Sequence, residues 1–436
     1  MKENNKISAK ALIPFAIFIA LYLITGLILQ VRGVEMAFYQ LPAPIAVFVA
    51  IIAAFFIFEG SIEDKFDTLV SGCGDSNIII MCLIYLLAGA FSSLAKASGG
   101  VDSVVALGLS FIPTGFLTAG VFLIASFISI ATGSSVGTIT ALGPIAVGLA
   151  NTSGISLALM LGALVGGAMF GDNLSIISDT TIAATRSQGC DMKDKFKMNA
   201  KIAIPSAILT IILLLVFGAP EVTTSPTDLT YDLLSIIPYL FVLIVALMGV
   251  NVFVVLTGAI GLSSALLLVR GSSVIDISQI IREGFTGMFE IFLLSMLIGG
   301  LSKMVADEGG INWIISKIKI FATDLRTGEL GIGLLVCLAD ICVANNTVAI
   351  IISGPIAKKM SREFGIDPRR SASLLDTFSC VFQGIIPYSA QVLIAAGFTG
   401  GALAPFELVP FFWYQFILGI FALISILTPR KHKNQS

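Results

Sequence analysis

Residues 103–171 form a run of 69 residues that contains no charged side chain. An α-helix needs about 20 apolar residues to cross the hydrocarbon core of a membrane, so this run is long enough for about three crossings. Charged residues make up 12% of the 436-residue chain and apolar residues 56%, whereas a soluble domain has about 25% charged residues. Because the polar surface is too small for a soluble globule of this size, the sequence predicts a polytopic membrane protein.

Further uncharged intervals recur along the chain. Most are one helix long, and residues 233–269 are long enough for two. Residues 288–305 add a span with Glu290 near its start and Lys303 near its end. We therefore expect an all-α fold with roughly eleven transmembrane helices and the lipid bilayer as solvent. The other uncharged intervals cover residues 11–31, 36–58, 76–95, 202–220, 341–357, 377–406 and 408–429.

Several functional classes are excluded or made remote by composition. His432 is the one histidine of the sequence and lies in a charged tail, which leaves no histidine-ligated metal centre. A net charge of −2 provides no basic footprint for nucleic acid. No loop of the form GxxxxGK[ST] occurs, which argues against a self-contained ATP-driven pump. An intramembrane aspartyl protease is a distant alternative, since residues 72–75 fit GxGD and residues 231–232 are Tyr-Asp.

A pair of matching motifs reveals an internal repeat. Residues 143–146 and 354–357 both read Gly-Pro-Ile-Ala, and the same offset of 211 residues relates 154–155 to 365–366. Smaller landmarks extend the match, so the repeat covers about 94–178 and 301–389.

The charges that flank the two copies are reversed. The loop 147–154 of the first copy has no charge. Its counterpart and the continuation of that counterpart carry five basic residues, Lys358, Lys359, Arg362, Arg369 and Arg370. Beyond the next matching segments, residues 170–178 and 382–389, the first copy is basic over 186–201, and the second copy has no lysine or arginine nearby. Since lysine and arginine concentrate on the cytoplasmic side, the pattern predicts inverted repeats, which are typical of secondary transporters.

The same charge rule orients the ends of the chain. Basic residues at both ends of the chain predict that both termini lie on the cytoplasmic side of the plasma or inner membrane. The sequence then divides into scaffold helices (1–93), a first transport unit (94–201), further scaffold helices (202–300), a second transport unit (301–400) and a C-terminal helix with a basic tail (401–436).

Polar residues interrupt each copy just before its Gly-Pro-Ile-Ala motif. Paired interruptions in the two halves of a transporter indicate a binding site, because an unwound helix exposes carbonyls to a cation and helix N-termini to an anion. Packing through small residues is the alternative interpretation. The candidate residues are Gly133, Ser134, Ser135 and Thr138 in the first copy, and Asn345, Asn346 and Thr347 in the second.

Carboxylates at membrane depth are a second indication of a binding site, because a charge at a helix centre costs on the order of 3 kcal/mol. Asp340 lies deep in its span, five residues before Asn345. Asp376 precedes a 30-residue uncharged interval and is either functional or interfacial. The other candidates follow the 69-residue run and are Asp172, Asn173, Ser175, Ser178 and Asp179, of which Asp179 is equally well explained as a helix cap.

These motifs resemble a known family. Residues 171–175 (GDNLS) and 178–181 (SDTT) resemble the signature of the NhaC-type sodium/proton antiporters, a branch of the ion transporter superfamily. Residues 345–350, 354–357 and 368–376 are similar to the YuiF-like subgroup, which is partly assigned to amino-acid transport. The chain departs from the family at Ile176, where a proline is usual.

The resemblance implies a scaffold part and a transport part. Two re-entrant hairpins, at 99–114 and 309–326, would meet two broken helices near the midplane, with residues 132–138 and 345–347 as the unwound points. A homodimer with an elevator-like movement is implied by analogy.

We therefore expect a cation-coupled secondary transporter, with Na⁺ or H⁺ as coupling ion and no other cofactor. In an antiporter, Na⁺ and a proton would compete for Asp172, with Asn173 and Asn346 as further Na⁺ ligands, since Na⁺ prefers oxygen. In an amino-acid or small-carboxylate transporter, a cation near the two breaks would complete a site whose helix N-termini receive the substrate carboxylate. The family motif favours the antiporter.

Overall fold

The computed structural model describes residues 6–32, 34, 40–111, 113–175, 178–219, 231–248 and 250–428. Within these ranges the chain forms twenty α-helices and no β-strand. The helices are α1 Ile13–Val31, α2 Ala43–Ile57, α3 Ile62–Cys73, α4 Ser76–Ala97, α5 Gly100–Phe111, α6 Leu117–Thr132, α7 Ser135–Ser153, α8 Leu157–Leu174, α9 Asp179–Gln188, α10 Met192–Phe217, α11 Leu233–Leu247, α12 Val252–Val269, α13 Val274–Asp307, α14 Gly310–Phe321, α15 Leu325–Val343, α16 Asn346–Phe364, α17 Pro368–Gln383, α18 Ala390–Gly397, α19 Pro405–Leu408 and α20 Trp413–Leu427.

Helix length and composition confirm the all-α polytopic fold. Seven segments of the described chain are long and apolar enough to cross a membrane, and a bent segment that joins α19 to α20 makes an eighth. The apolar helices Ala43–Ile57 and Leu233–Val245 are shorter. The seven segments are Ala9–Gly26, Ile78–Ala97, Thr114–Thr132, Leu157–Gln188, Met192–Phe217, Val252–Val269 and Val274–Asp307. The expected total of eleven also counted short and broken helices, which are not long enough to cross the membrane as single straight helices.

The internal repeat is confirmed by the order of the helices. The series α4 to α10, here called the first unit, recurs as α13 to α18 followed by α20, here called the second unit. The offset of 211 residues relates α7 to α16 at both ends, and it relates the starts of α8 and α9 to those of α17 and α18. Left-handed residues end the equivalent helices at Gly133 and Ala344 and at Gly154 and Gly365, and side-chain caps begin them at Ser134 and Asn345 and at Ser178 and Ser389.

Equivalent helices of the two units run in opposite directions. In the pair α4 and α13, Gly89 packs against Gly284 and Ile78 packs against Gly299. Later residues of α4 therefore contact earlier residues of α13, so the two helices are antiparallel. Because one unit is turned over relative to the other, the structure contains an inverted repeat.

The two basic segments that the sequence assigns to one face of the membrane lie together. The turn between α9 and α10 and the turn between α16 and α17 line one cavity of about 680 Å³. Cys190 lies in the first turn, and Asp194 follows it at the start of α10. Around the second turn, Lys358 and Arg362 lie near the end of α16, and Arg369 lies at the start of α17.

The positions predicted for the hairpins are wrong. Residues 99–114 and 309–326 each contain one helix, α5 and α14, through their middle, because no proline interrupts either helix. The chain folds back between α15 and α16 instead, where Gly328 packs on Phe364 and Gly331 packs on Met360. A left-handed residue, Ala344, makes this turn.

The interruptions predicted at 132–138 and 345–347 are shorter than expected. Helix α6 ends at Thr132 and α7 begins at Ser135, so Thr138 is helical, and Asn346 and Thr347 are already part of α16. A second pair of interruptions separates α8 from α9 and α17 from α18. The first of these breaks one membrane-length segment, Leu157–Gln188, and Ile176 within it lies outside the described residues.

Candidate functional site

The helix interruptions of both units are joined by buried side chains. Asp172, at the end of α8, accepts a hydrogen bond at Oδ2 from the Ser135 hydroxyl at the start of α7, over 2.9 Å. Ser135 Oγ in turn accepts one from Gln391 Nε2 at the start of α18, over 3.0 Å. Gln383 Nε2, at the end of α17, donates to Gln391 Oε1 and to the carbonyl of Ala344, over 2.8 and 3.3 Å. One polar chain therefore connects Asp172 with the α15–α16 turn.

Local contacts fix Asp172 at this junction. Its side chain is 5% exposed. The preceding residue, Gly171, packs on α6 so closely that a Cβ would collide with Ser129. Ser178 caps α9 and donates from Oγ to the main-chain oxygen of Asp172 over 3.1 Å. The carboxylate thus occupies a rigid position although the helix that carries it ends two residues later.

A second buried cluster lies on the other side of the α8 end. The ammonium of Lys195, on α10, is 2.6 Å from Asp376 Oδ2, on α17, and both side chains are at most 1% exposed. Asp376 Oδ2 also accepts from the amides of Asn173 and Asn199 over 3.0 and 2.7 Å. Asn173 therefore faces Asp376 and belongs to this cluster.

Asp340 is buried near the end of α15, with 0% of its surface exposed. Neither carboxylate oxygen of Asp340 has a hydrogen-bond partner within the described part of the chain. Its main-chain oxygen accepts from the amide of Ala344 over 2.7 Å. Asn346, which begins α16 beyond the same turn, also has a side-chain nitrogen without a partner among the described residues.

The remaining predicted residues serve mainly as caps and joints. Ser134 and Asn345 cap α7 and α16 through their side chains. Ser175 donates to the carbonyl of Ile130 over 2.9 Å. Asp179 is exposed at the start of α9 and does not take part in the polar chain from Asp172 to Ala344. Gly133, Thr138 and Thr347 lie next to the turns and do not appear in the polar chain from Asp172 to Ala344.

Sequence reasoning missed four residues of the two clusters: Lys195, Asn199, Gln383 and Gln391. Lys195 was counted among cytoplasmic basic residues, and the two glutamines lie in the uncharged interval 377–406. The repeat offset could have found Gln383, because adding 211 to the position of Asp172 gives that residue.

The protease alternative is not supported by geometry. Asp75 directly precedes α4, whereas Asp232 is next to the far end of α4, since Ser235 bonds to both Asp232 and the carbonyl of Ser98. A 22-residue helix is about 33 Å long. The two aspartates therefore cannot form a catalytic pair.

Two inverted units whose interrupted helices meet at buried carboxylates define a secondary transporter. The sequence profile of the Na⁺/H⁺ antiporter family matches residues 1–219 and 223–428, and the chain belongs to this family. The resemblance to NhaC-type antiporters is confirmed, and the protein is a multi-pass membrane transporter of the antiporter type. Membership in the YuiF-like subgroup stays a prediction.

Individual relatives carry several activities. A malate-2H⁺/Na⁺-lactate antiporter of Bacillus subtilis is 25% identical, over 92% of each chain. The Na⁺/H⁺ antiporter NhaC of Alkalihalophilus pseudofirmus is 29% identical over 55% of this chain and 54% of its own. An arginine/ornithine antiporter, ArcD of Halobacterium salinarum, is 23% identical over 83% of this chain and 80% of its own.

Proposed function

We propose that the chain exchanges Na⁺ for H⁺ at Asp172. The observation that carries the proposal is the placement of this buried carboxylate where the interruptions of both units meet, with one hydroxyl donor, Ser135, on its Oδ2. Carboxylate, hydroxyl and carboxamide oxygens suit a hard cation such as Na⁺. Asp172 and Ser135 supply the first two types at this junction, whereas the amide nitrogen of Gln391 donates to Ser135.

Exchange follows from charge balance at this residue. An ionised carboxylate without a counter-charge is costly at membrane depth, on the order of 3 kcal/mol or more. Either a proton or Na⁺ neutralises Asp172, and the two occupants exclude one another. The site can then reorient across the membrane more readily when it holds a proton or Na⁺ than when it holds neither. This difference couples the two ion flows.

A proteoliposome assay tests the role of Asp172. Addition of Na⁺ to vesicles with an acidic lumen should release lumenal protons in the wild-type protein. We expect Asp172→Asn to lower the rate at least about 100-fold, because loss of a charged ligand costs about 3 kcal/mol. Asp67→Asn is the matched control, since Asp67 is exposed on α3, and it should keep the wild-type rate.

The opposite pattern would disprove the proposal. If Asp172→Asn is correctly inserted and keeps Na⁺-dependent proton release, Asp172 is not the exchange site. Ser135→Ala should give a graded result, a higher half-saturating Na⁺ concentration with a smaller change in maximal rate, because it removes one neutral ligand.

Exchange of a small organic acid or amino acid is the second candidate. Two relatives are named for malate and lactate and for arginine and ornithine. The first residues of α7 and α18 are joined by the bond between Ser135 and Gln391, and helix N-termini attract carboxylates. Uptake of labelled malate, lactate or arginine that requires a Na⁺ or H⁺ gradient would favour this candidate over exchange of Na⁺ and H⁺ alone.

Orientation and assembly belong to the same proposal. The basic residues of the two segments that share this cavity support a cytoplasmic location for the α9–α10 and α16–α17 turns, and the terminal charges support cytoplasmic termini in a plasma membrane. The homodimer and the elevator-like movement stay predictions from the family resemblance.

A further inference from the structure

The ammonium of Lys195 is surrounded by oxygen atoms as a bound cation would be. Its Nζ lies 2.6 Å from Asp376 Oδ2, 2.8 Å from the carbonyl of Asn173 and 2.6 Å from Thr181 Oγ1. An ammonium has three N–H donors, and all three are used. The three ligands come from α17, from the end of α8 and from the start of α9, so the ammonium bridges a helix interruption.

Three acceptor oxygens of this cluster receive no hydrogen bond from the described residues. Oδ1 of Asp376, Oδ1 of Asn173 and Oδ1 of Asn199 are buried and lack a partner among the described residues. Asp376, Asn173 and Asn199 are 0% exposed. Buried acceptors normally have a donor or a cation, and leaving one unpaired costs about 1–3 kcal/mol.

Simple stabilisation by an ion pair is a weak explanation for such a cluster. Taking both charges out of water costs several kcal/mol per ion, and an apolar replacement of the same volume is often equally stable. An exposed lysine on the same helix, Lys197, shows that α10 can hold its basic residues in solvent.

We infer that Asp376, Asn173, Asn199 and Thr181 form a second cation-binding site, and that Lys195 fills it as a tethered occupant. Without the ammonium the site takes one monovalent alkali cation. In the intact protein the ammonium excludes free cations, which leaves Asp172 as the carboxylate that binds Na⁺ from solution. Lys195 is therefore a positioning residue, since it acts on ion selection through Asp376.

Equilibrium binding of radioactive Na⁺ to the purified full-length protein tests this site on an Asp172→Asn background, where the first site is removed. We expect Asp172→Asn to bind no Na⁺ and Asp172→Asn with Lys195→Ala to bind one. Adding Asp376→Asn should abolish that binding again. Lys197→Ala on the same background is the matched control, with its side chain 74% exposed, and should gain none.

The outcomes separate this inference from the proposed exchange at Asp172. If wild-type protein and Asp172→Asn bind equal amounts of Na⁺, the proposed exchange site is wrong. If the folded double variant Asp172→Asn with Lys195→Ala binds no more Na⁺ than Asp172→Asn alone, the second site is wrong. Lys195 and Asp376 then form an ion pair with a structural role only.

Unfolding of the Lys195→Ala variant would also be informative. In that case the Lys195→Ala variant is purified in NaCl, in ethylammonium chloride and, as control, in choline chloride. The yield of folded protein then replaces the binding measurement. Recovery of folded protein in the small cations and not in choline supports a cation site, because choline is too large for a space shaped around an ammonium. Equal failure in all three salts overturns it.

Discussion

At the scale of single residues, Asp340 and Asp376 show two ways in which a membrane protein holds a buried carboxyl group. Asp376 is ion-paired with Lys195 and accepts two amide hydrogen bonds. Asp340 has neither an ion pair nor a side-chain hydrogen bond among the described residues. An unpaired buried anion is far more costly than a neutral group, so the two aspartates differ in what they contribute to stability.

Replacing each aspartate by asparagine separates the two cases. We expect Asp340→Asn to change the free energy of unfolding by less than about 1 kcal/mol, because a neutral amide of the same shape loses no partner. We expect Asp376→Asn to cost about 3–5 kcal/mol, because it leaves the Lys195 ammonium buried without a counter-charge. Thermal unfolding of the two purified variants gives the comparison. Equal losses would show that Asp340 has an ionic partner in the folded protein.

Ala344 is the one non-glycine residue in the described chain with a positive φ, 51°. Its equivalent in the first unit is Gly133, with φ 67°. A left-handed conformation costs an alanine about 1–2 kcal/mol. We expect Ala344→Gly to raise the free energy of unfolding by about 1 kcal/mol and Gly133→Ala to lower it by a similar amount. Thermal midpoints in one detergent measure both, and a loss of stability in Ala344→Gly would contradict the expected relief of strain.

At the scale of helices, glycines set the distance between α6 and α8. A Cβ at Gly167 would collide with the main-chain oxygen of Phe122, and one at Gly171 would collide with Ser129. Small residues allow such close approach between helices in a membrane, where packing rather than the hydrophobic effect drives association. Because Asp172 directly follows Gly171, the packing of this helix pair also positions the carboxylate.

Gly171→Ala should therefore impair transport through a displacement of α8. A methyl group at this position forces the end of α8 away from α6, and an error of about 1 Å at a binding group is enough to lower activity strongly. Gly120→Ala on α6 is the control, since no atom lies within 4 Å of the position that its methyl group would take. Na⁺-dependent proton release in proteoliposomes should fall at least about tenfold in Gly171→Ala only. Equal rates for the two variants would show that the end of α8 tolerates the shift.

Sequence patterns predicted the interruptions better than the contacts around them. Ser134 and Asn345 could be found because a repeat places polar residues before the same Gly-Pro-Ile-Ala motif in both units. The fold-back at Ala344 was not predicted, because alanine carries no signal for a turn. Lys195 was not connected to Asp376 because residues 181 positions apart on different helices show no pattern in one sequence.

At the scale of the whole molecule, inversion of the two units fixes which turns share a membrane face. The α9–α10 turn and the α16–α17 turn line one cavity, so both lie on one side. The counterpart of the α16–α17 turn in the first unit is the α7–α8 turn, which begins at Gly154 directly after the last turn of α7, where Thr152 is exposed. Inversion places this counterpart on the other side, and the positive charges assign the shared cavity to the cytoplasm.

Cysteine labelling with a membrane-impermeant maleimide tests that arrangement. Cys190 lies in the α9–α10 turn, outside the membrane-length segments, and half-burial, with the nearby carboxylate of Asp367 as the next cause, raises the pKa of its thiol to about 11. Since the thiolate is the nucleophile, labelling should accelerate about tenfold per pH unit between pH 7 and pH 9.

The two faces are then compared in a background without Cys73, which is also partly exposed. Cys190 should react in inside-out vesicles only, and Thr152→Cys combined with Cys190→Ser should react in right-side-out vesicles only. Cys190→Ser alone supplies the unlabelled control. Reaction of both positions from one side would mean that the two units have the same orientation in the membrane, and the antiparallel packing of α4 on α13 would then need a different explanation.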